Sequence, residues 1–151
     1  MNRVYLDTSA LVKLYVEEPE SAALAAFVVQ LAPDFMPYHS LHELECAHAL
    51  ERRLGDGAFA ARQAAEVRRW MERDLGAMIL RRPLLEWSEV FAAAIRLTRR
   101  HGRKHGLRSL DSLHVAAALA IKGSSPGRIV FVTYDERQAR TAKAEKFEVW
   151  P

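Results

Sequence analysis

Short apolar runs alternate with helix-period segments along this chain, and the two clearest runs lead into aspartates. Val4-Tyr5-Leu6 stops at Asp7, and Ile129-Val130-Phe131-Val132 passes through Thr133-Tyr134 into Asp135. β-branched and aromatic residues in runs this short, without polar alternation, read as strands buried on both faces. Strands that alternate with helices imply right-handed crossovers and a parallel sheet covered on both sides. The fold class is therefore α/β, a sandwich with a short central parallel sheet flanked by helices.

The remaining elements follow from periodicity and punctuation. Asp7-Thr8-Ser9 can cap a helix carrying Leu11, Val12, Leu14 and Tyr15, and a second helix carries Ala22 to Leu31 between Pro19 and Pro33. Asp34 to Tyr38 predicts a weak strand. Ser40 is a candidate N-cap with Glu43 three residues on, the reciprocal capping arrangement, ahead of a helix from about Leu41 to Leu54. After the Gly55-Asp56-Gly57 turn, Phe59, Gln63, Val67, Trp70, Met71 and Leu75 trace an amphipathic helix, and Met78 to Leu80 forms a short strand. Trp87, Val90, Phe91, Ala94, Ile95 and Thr98 trace another helix, its frayed basic end bracketed by Gly102 and Gly106. An apolar helix over Leu113 to Ile121 opens at Ser109 or Asp111, a loop spans Gly123 to Gly127, Gln138 to Ala144 is helical, and Phe147 to Trp150 is a last strand. With no linker, repeat or low-complexity block, residues 1–151 read as one domain.

Four acids, Asp7, Glu43, Asp111 and Asp135, fall at strand ends or helix starts, and the carboxyl ends of strands converge where an open parallel sheet binds ligands. Each has a plain structural use, as an N-cap, a first-turn acid or a capping partner. Gathered together they repel, by about 4 kcal/mol per pair at roughly 4 Å and an effective dielectric near 20. A cation or strong pKa shifts must hold such a cluster. Hard oxygen ligands select Mg²⁺ or Mn²⁺, which points to metal-assisted phosphoryl chemistry.

Composition narrows the setting. A hydrophobic fraction of 50% with 27% charged residues belongs to a soluble globular protein. The single cysteine, Cys46, makes no internal disulfide, and the apolar run before Asp7 is too short for a signal peptide, so a reducing, cytoplasmic location is expected. The apolar stretches Ala22 to Val29 and Val115 to Ile121 fall short of the roughly 18 residues of a membrane span. The net charge is only +3, but Arg96, Arg99, Arg100, Arg103, Lys104 and Arg108 crowd one segment with His101 and His105. That segment reads plainly as a solvated helix end complementing the dipole. Its place just before Asp111 makes Arg99, Arg100, Arg103, Lys104 and Arg108 candidate phosphate-backbone contacts.

Other chemistries fit poorly. His42-Glu43-Leu44-Glu45-Cys46 lacks the second histidine of a zinc-protease helix, and His48 lies about 240° round the helix from His42. His114, one turn after Asp111, reads as a hydrogen-bonded core or supporting group. Ser9 and Ser112 lack a nucleophile elbow, and no glycine-rich phosphate loop appears.

Val4-Tyr5-Leu6-Asp7-Thr8-Ser9, Glu43-Leu44 with Ala47, Leu110-Asp111-Ser112-Leu113-His114-Val115-Ala116 and Phe131-Val132-Thr133-Tyr134-Asp135 together resemble the PIN-domain nucleases. Within that family the similarity is to VapC-type toxins of toxin–antitoxin pairs, over nearly the whole chain. The resemblance implies a three-layer PIN-like sandwich in which Asp7, Glu43, Asp111 and Asp135 form the catalytic acidic pocket and hold Mg²⁺ or Mn²⁺. It also implies supporting hydroxyls at Thr8, Ser9 and Thr133, an RNA substrate, a cognate antitoxin and a homodimer. Gln138 departs from it, standing where relatives often carry a bulky apolar residue.

The function expected is metal-dependent endoribonucleolytic hydrolysis, with bound water brought from a pKa of about 15.7 toward about 7. A haloacid-dehalogenase-type phosphatase would use Asp7 as nucleophile but needs a second aspartate where Ser9 stands. A non-catalytic module that binds RNA or a protein partner through the same surface is the competing class.

Overall fold

Every strand of the computed structural model runs parallel to its neighbour, and its carboxyl edge carries the acids. The structure describes residues 2–124 and 127–151. The first half contains β1 (Asn2–Leu6), α1 (Thr8–Val12), α2 (Ser21–Leu31), β2 (Met36–Pro37), α3 (Ser40–Gly55) and α4 (Ala61–Gly76). The second contains β3 (Leu80–Arg81), α5 (Trp87–His105), α6 (Ser109–Gly123), β4 (Arg128–Val132), α7 (Glu136–Ala144) and β5 (Glu148–Trp150). A three-stranded sheet has the order β1-β4-β5, and β2 and β3 pair in a second, two-stranded one. The loop expected over Gly123 to Gly127 lies partly outside the described residues.

Strand alternation sorts the core into two layers. Val4 and Leu6 of β1 with Val130 and Val132 of β4 pack against Leu11, Leu24, Cys46, Leu50 and Met71, which come from α1 to α4. Tyr5, Ile129 and Phe131 face the other way, against Val90, Leu97, Val115, Ala117 and Ala142 of α5 to α7. The result is helices, sheet, helices. Tyr5 and Phe131 are wholly buried and stack with centroids 5.2 Å apart, each contributing on the order of 1.5–3 kcal/mol by burial.

Several expected boundaries move for local reasons. The helix expected to fray near Gly102 continues to His105 and stops at Gly106, whose φ of 67° is the left-handed C-cap conformation that glycine adopts without a steric penalty. A Cβ there would lie 3.5 Å from the Arg137 Cδ, an ordinary contact, so it is the backbone conformation and not space that favours glycine. Helix α3 begins one residue earlier than the capping pattern predicts. Its N-cap is His39, not Ser40, and the His39 N–H donates to His42 Nδ1 at 3.3 Å. Glu43 is thereby removed from the capping role. Met78, at φ 61°, interrupts the expected Met78 to Leu80 strand, which pairs only from Leu80.

Candidate active site

The register of β1 with β4 builds the centre of the site. Leu6 lies opposite Val132, so the residues that follow, Asp7 and Thr133, emerge side by side at the carboxyl edge. Asp7 is 2% exposed and caps α1: its Oδ1 accepts from the Ala10 N–H at 2.7 Å and from Ser9 Oγ at 2.8 Å. Its Oδ2 accepts from Thr133 Oγ1 at 2.6 Å. Burial is the dominant influence on this carboxyl and pushes it above its ordinary range, against the lowering influence of His114 and of these donors.

The hydrogen bonds continue from Asp7 to the other aspartates. Thr133 Oγ1 accepts from the Asp135 N–H at 3.0 Å, and Asp135 Oδ1 in turn accepts from the N–H groups of Arg137 and Gln138, capping α7. Gln138 Nε2 donates at 3.1 Å to Asp111 Oδ1, while the Arg108 N–H donates at 3.0 Å to Asp111 Oδ2. Asp7, Asp135 and Asp111 thus belong to one network with Thr133 and Gln138 between them. Gln138, the residue that departs from the apolar pattern, is buried and tethers the last two aspartates. Its Oε1 is buried without a hydrogen-bond partner.

Asp135 is also gripped by its own neighbour. The Arg137 guanidinium donates through Nε and Nη2 to its two oxygens and holds it below the usual carboxylate range, with burial opposing. The guanidinium is placed to feel Asp111 as well. An internal cation therefore already balances part of the acidic charge.

Glu43 does not join this network. Its side chain, 40% exposed, pairs with Arg82 from the segment after β3. The acid that α3 delivers is Glu45, whose Oε2 accepts from Thr8 Oγ1 at 2.8 Å and from His114 Nε2 at 2.6 Å. Two residues along a helix turn the side chain by about 200°, so the two glutamates face opposite sides. Thr8 follows Asp7 and His114 lies one turn beyond Asp111, so the partners of Glu45 are the neighbours of the two buried aspartates. Burial works against the Glu45 carboxylate, and the His114 and Thr8 donors more than offset it, leaving its pKa lowered.

Three buried histidines lie behind Glu45. The candidate ligand atoms of His39, His42 and His114 all fall within 4.8 Å of one another. Their hydrogen bonds, however, commit most of these nitrogens. His42 Nδ1 accepts from the His39 N–H, so His42 Nε2 carries the proton and donates to the Leu6 carbonyl at 2.8 Å. His114 is held by Glu45 on one side and by Tyr5 Oη, 2.8 Å from its Nδ1, on the other. Burial drives His39 down to about 3 and His42 well below its ordinary value. The cluster is a hydrogen-bonded floor in which burial keeps His39 and His42 neutral, and hard divalent cations prefer the carboxylates beside it.

A groove of about 770 Å³ opens over Thr8, Ser9 and Glu45. Val12, Leu44, Ala49 and Leu110 give it an apolar stretch, and Lys13, His48, Arg52, Arg53 and Arg108 give it a basic rim. Lys13 and Arg53 are bound to Glu18, while Arg52 and Arg108, with His48, line the same groove. Of the five cations proposed from sequence, Arg108 lines the groove. Arg99, Arg100, Arg103 and Lys104 project from α5, where Arg100 pairs with Glu145.

Comparison with known proteins agrees with this architecture. The family model for the PIN domain matches residues 4–144. Ribonuclease VapC47 of Mycobacterium tuberculosis (strain CDC 1551 / Oshkosh) is 29% identical over 136 residues, covering 89% of this chain and 85% of that protein.

Proposed function

Because the chain belongs to the PIN-domain family, we propose that it is an endoribonuclease dependent on Mg²⁺ or Mn²⁺ and the toxin of a toxin–antitoxin pair. The observation that carries this reading is the hydrogen-bond network that joins Asp7, Asp135 and Asp111 through Thr133 and Gln138, with Glu45 held by Thr8 and His114 in a groove with a basic rim. The similarity to a protein named as a ribonuclease supports the RNA substrate.

The donor set suits a hard divalent cation. Asp7 and Asp111 are buried carboxylates, the Glu45 hydrogen bonds both fall on Oε2, and burial disfavours the Asp7 charge unless a cation offsets it. Asp7, Glu45 and Asp111 would hold the ion. Asp135 would act through the network, fixing Gln138 against Asp111 and restraining Arg137. When bound, the cation supplies charge to the scissile phosphate and acidifies the attacking water. Thr8, Ser9 and Thr133 orient the carboxylates by their hydroxyl hydrogen bonds. Arg52, His48 and Arg108 would hold the flanking phosphates, with Arg99, Arg103 and Lys104 of α5 available to a longer strand.

The partners proposed are RNA, a cognate antitoxin that blocks the groove, and a second copy of this chain. The location proposed is cytoplasmic; among the described residues no helix is long and apolar enough to cross a membrane. The test is incubation of the purified protein with mixed cellular RNA in Mg²⁺, Mn²⁺ or chelator beside a folded Asp7→Asn control. Metal-dependent cuts absent from the variant are expected. A folded, metal-loaded sample that binds RNA without cutting it would replace the nuclease with a binding module.

A further inference from the structure

Tyr5 lies in the middle of an apolar strand, buried on every side, yet its hydroxyl meets two imidazoles. His39 Nε2 is 2.9 Å away and His114 Nδ1 is 2.8 Å away. From His114 the contacts continue through Nε2 to Glu45 Oε2 at 2.6 Å. Four side chains from β1, the start of α3, its second turn and α6 therefore form one series, His39–Tyr5–His114–Glu45, that runs from the core to the groove.

The direction of the series is settled at its ends. A carboxylate only accepts, so His114 Nε2 carries a proton and donates to Glu45. If Tyr5 donates to His114 Nδ1, His39 Nε2–H donates to Tyr5 and His39 Nδ1 is left as a lone pair. If Tyr5 instead donated to His39, His39 Nδ1 would carry the proton. That atom is buried without a hydrogen-bond partner, and a buried N–H left unpaired is the rarer and costlier defect. The first arrangement therefore holds, with each donor pointing outward toward Glu45.

We propose that His114, locked in its Nε2–H tautomer by Tyr5, is a positioning residue that holds the Glu45 carboxylate in its cation-binding orientation. Thr8 Oγ1 donates to the same oxygen at 2.8 Å and lies 3.2 Å from His114 Nε2, beside it. Pinning Oε2 with two donors fixes the carboxylate plane and presents Oε1 to the ligand. An imidazole flipped about its own axis would put Cδ2 where Nδ1 meets Tyr5 and Cε1 where Nε2 meets Glu45, forfeiting both bonds, so the two partners fix the ring orientation and the hydroxyl selects the tautomer. The inference rests on the reading of Glu45 as a metal-holding residue.

The test is a Mn²⁺ titration of full-length His114→Leu, His114→Gln, Tyr5→Phe, Glu45→Gln and Asp7→Asn, following free Mn²⁺ by electron paramagnetic resonance. Ring ¹⁵N spectra of the wild type and melting curves of each variant accompany it. Loss of a partner that orients a metal ligand typically lowers affinity by about 10–100-fold, and His114→Leu should fall in that range. His114→Gln, whose amide N–H reaches toward Glu45 from the Nε2 side, should recover most of the loss. Tyr5→Phe should weaken Mn²⁺ binding less than His114→Leu and lower kcat for RNA with little change in KM. The ¹⁵N spectra should show His114 protonated at Nε2 and unprotonated at Nδ1.

Wild-type Mn²⁺ affinity in His114→Leu, beside weakened Glu45→Gln and Asp7→Asn, would overturn the positioning role while sparing the metal site. An Nδ1–H tautomer would overturn it too. Unaltered affinity in both Glu45→Gln and Asp7→Asn would remove the metal-site reading and this inference with it. Should His114→Leu fail to fold, Tyr5→Phe and the tautomer decide the matter.

Discussion

Exchanging Glu45 and Glu43 for glutamine, one at a time, separates two acids that lie two residues apart on one helix. Glu45→Gln keeps the size of the side chain, and its amide oxygen can still accept from Thr8 Oγ1 and His114 Nε2. What is lost is one unit of negative charge facing the groove. At about 4 Å and an effective dielectric near 20, one unit charge interacts with another by about 4 kcal/mol, which at 1.4 kcal/mol per decade is about a 10³-fold effect. The amide oxygen returns part of this as a neutral ligand, so a loss on the order of 10²–10³ in Mn²⁺-supported cleavage is expected.

Glu43→Gln breaks the exposed pair with Arg82, and exposed pairs contribute little to stability. It should alter cleavage by less than about twofold. The assay is single-turnover cleavage of one labelled RNA at saturating enzyme, with melting curves to confirm the fold. Equal losses in the two variants, or a larger loss in Glu43→Gln, would refute the assignment of Glu45 to the site.

Further outcomes follow from the same geometry. Because burial raises Asp7, the folded protein binds a proton more tightly there than the unfolded chain does, so metal-free stability falls as pH rises from about 4 through the raised value. Metal-free Asp7→Asn should therefore melt above metal-free wild type at neutral pH, with the gap closing below about pH 4; a gap that widens in acid would reverse the sign. Arg52→Ala with Arg108→Ala should weaken binding of a short RNA and flatten its salt dependence by about 1.4 in slope, for two phosphate contacts to a single strand. Arg99→Ala with Arg103→Ala should matter only for longer RNA, read by the same salt titration. Gln138→Leu, which removes the donor to Asp111, should leave the protein folded and cut Mn²⁺ affinity about tenfold by calorimetry.

What the sequence revealed and what it hid divide along a physical line. Asp7, Asp111 and Asp135 were legible because each also serves the backbone at a helix start, and that local use leaves a contiguous signature after a strand or before an apolar helix. An acid inside a helix has no such signature and is placed only by the face it occupies. The buried stripe of α3 is Leu41, His42, Cys46 and Leu50, and Glu43 and Glu45 flank it on opposite sides. Hydrophobic periodicity identifies the stripe but not which flank meets the end of β1. The capping pattern favoured Glu43, yet the helix starts after His39 and gives that role to His42.

The relay behind Glu45 shows the same limit from the other direction. A histidine in an apolar helix, taken alone, reads as a core residue, and His114 is indeed buried. The stronger sign was Tyr5, a hydroxyl in a strand covered on both faces. Such a hydroxyl must find partners within the fold. The sequence therefore implies that something polar lies against the middle of β1, and only the packing of α3 and α6 over that strand determines that it is a pair of imidazoles leading to Glu45.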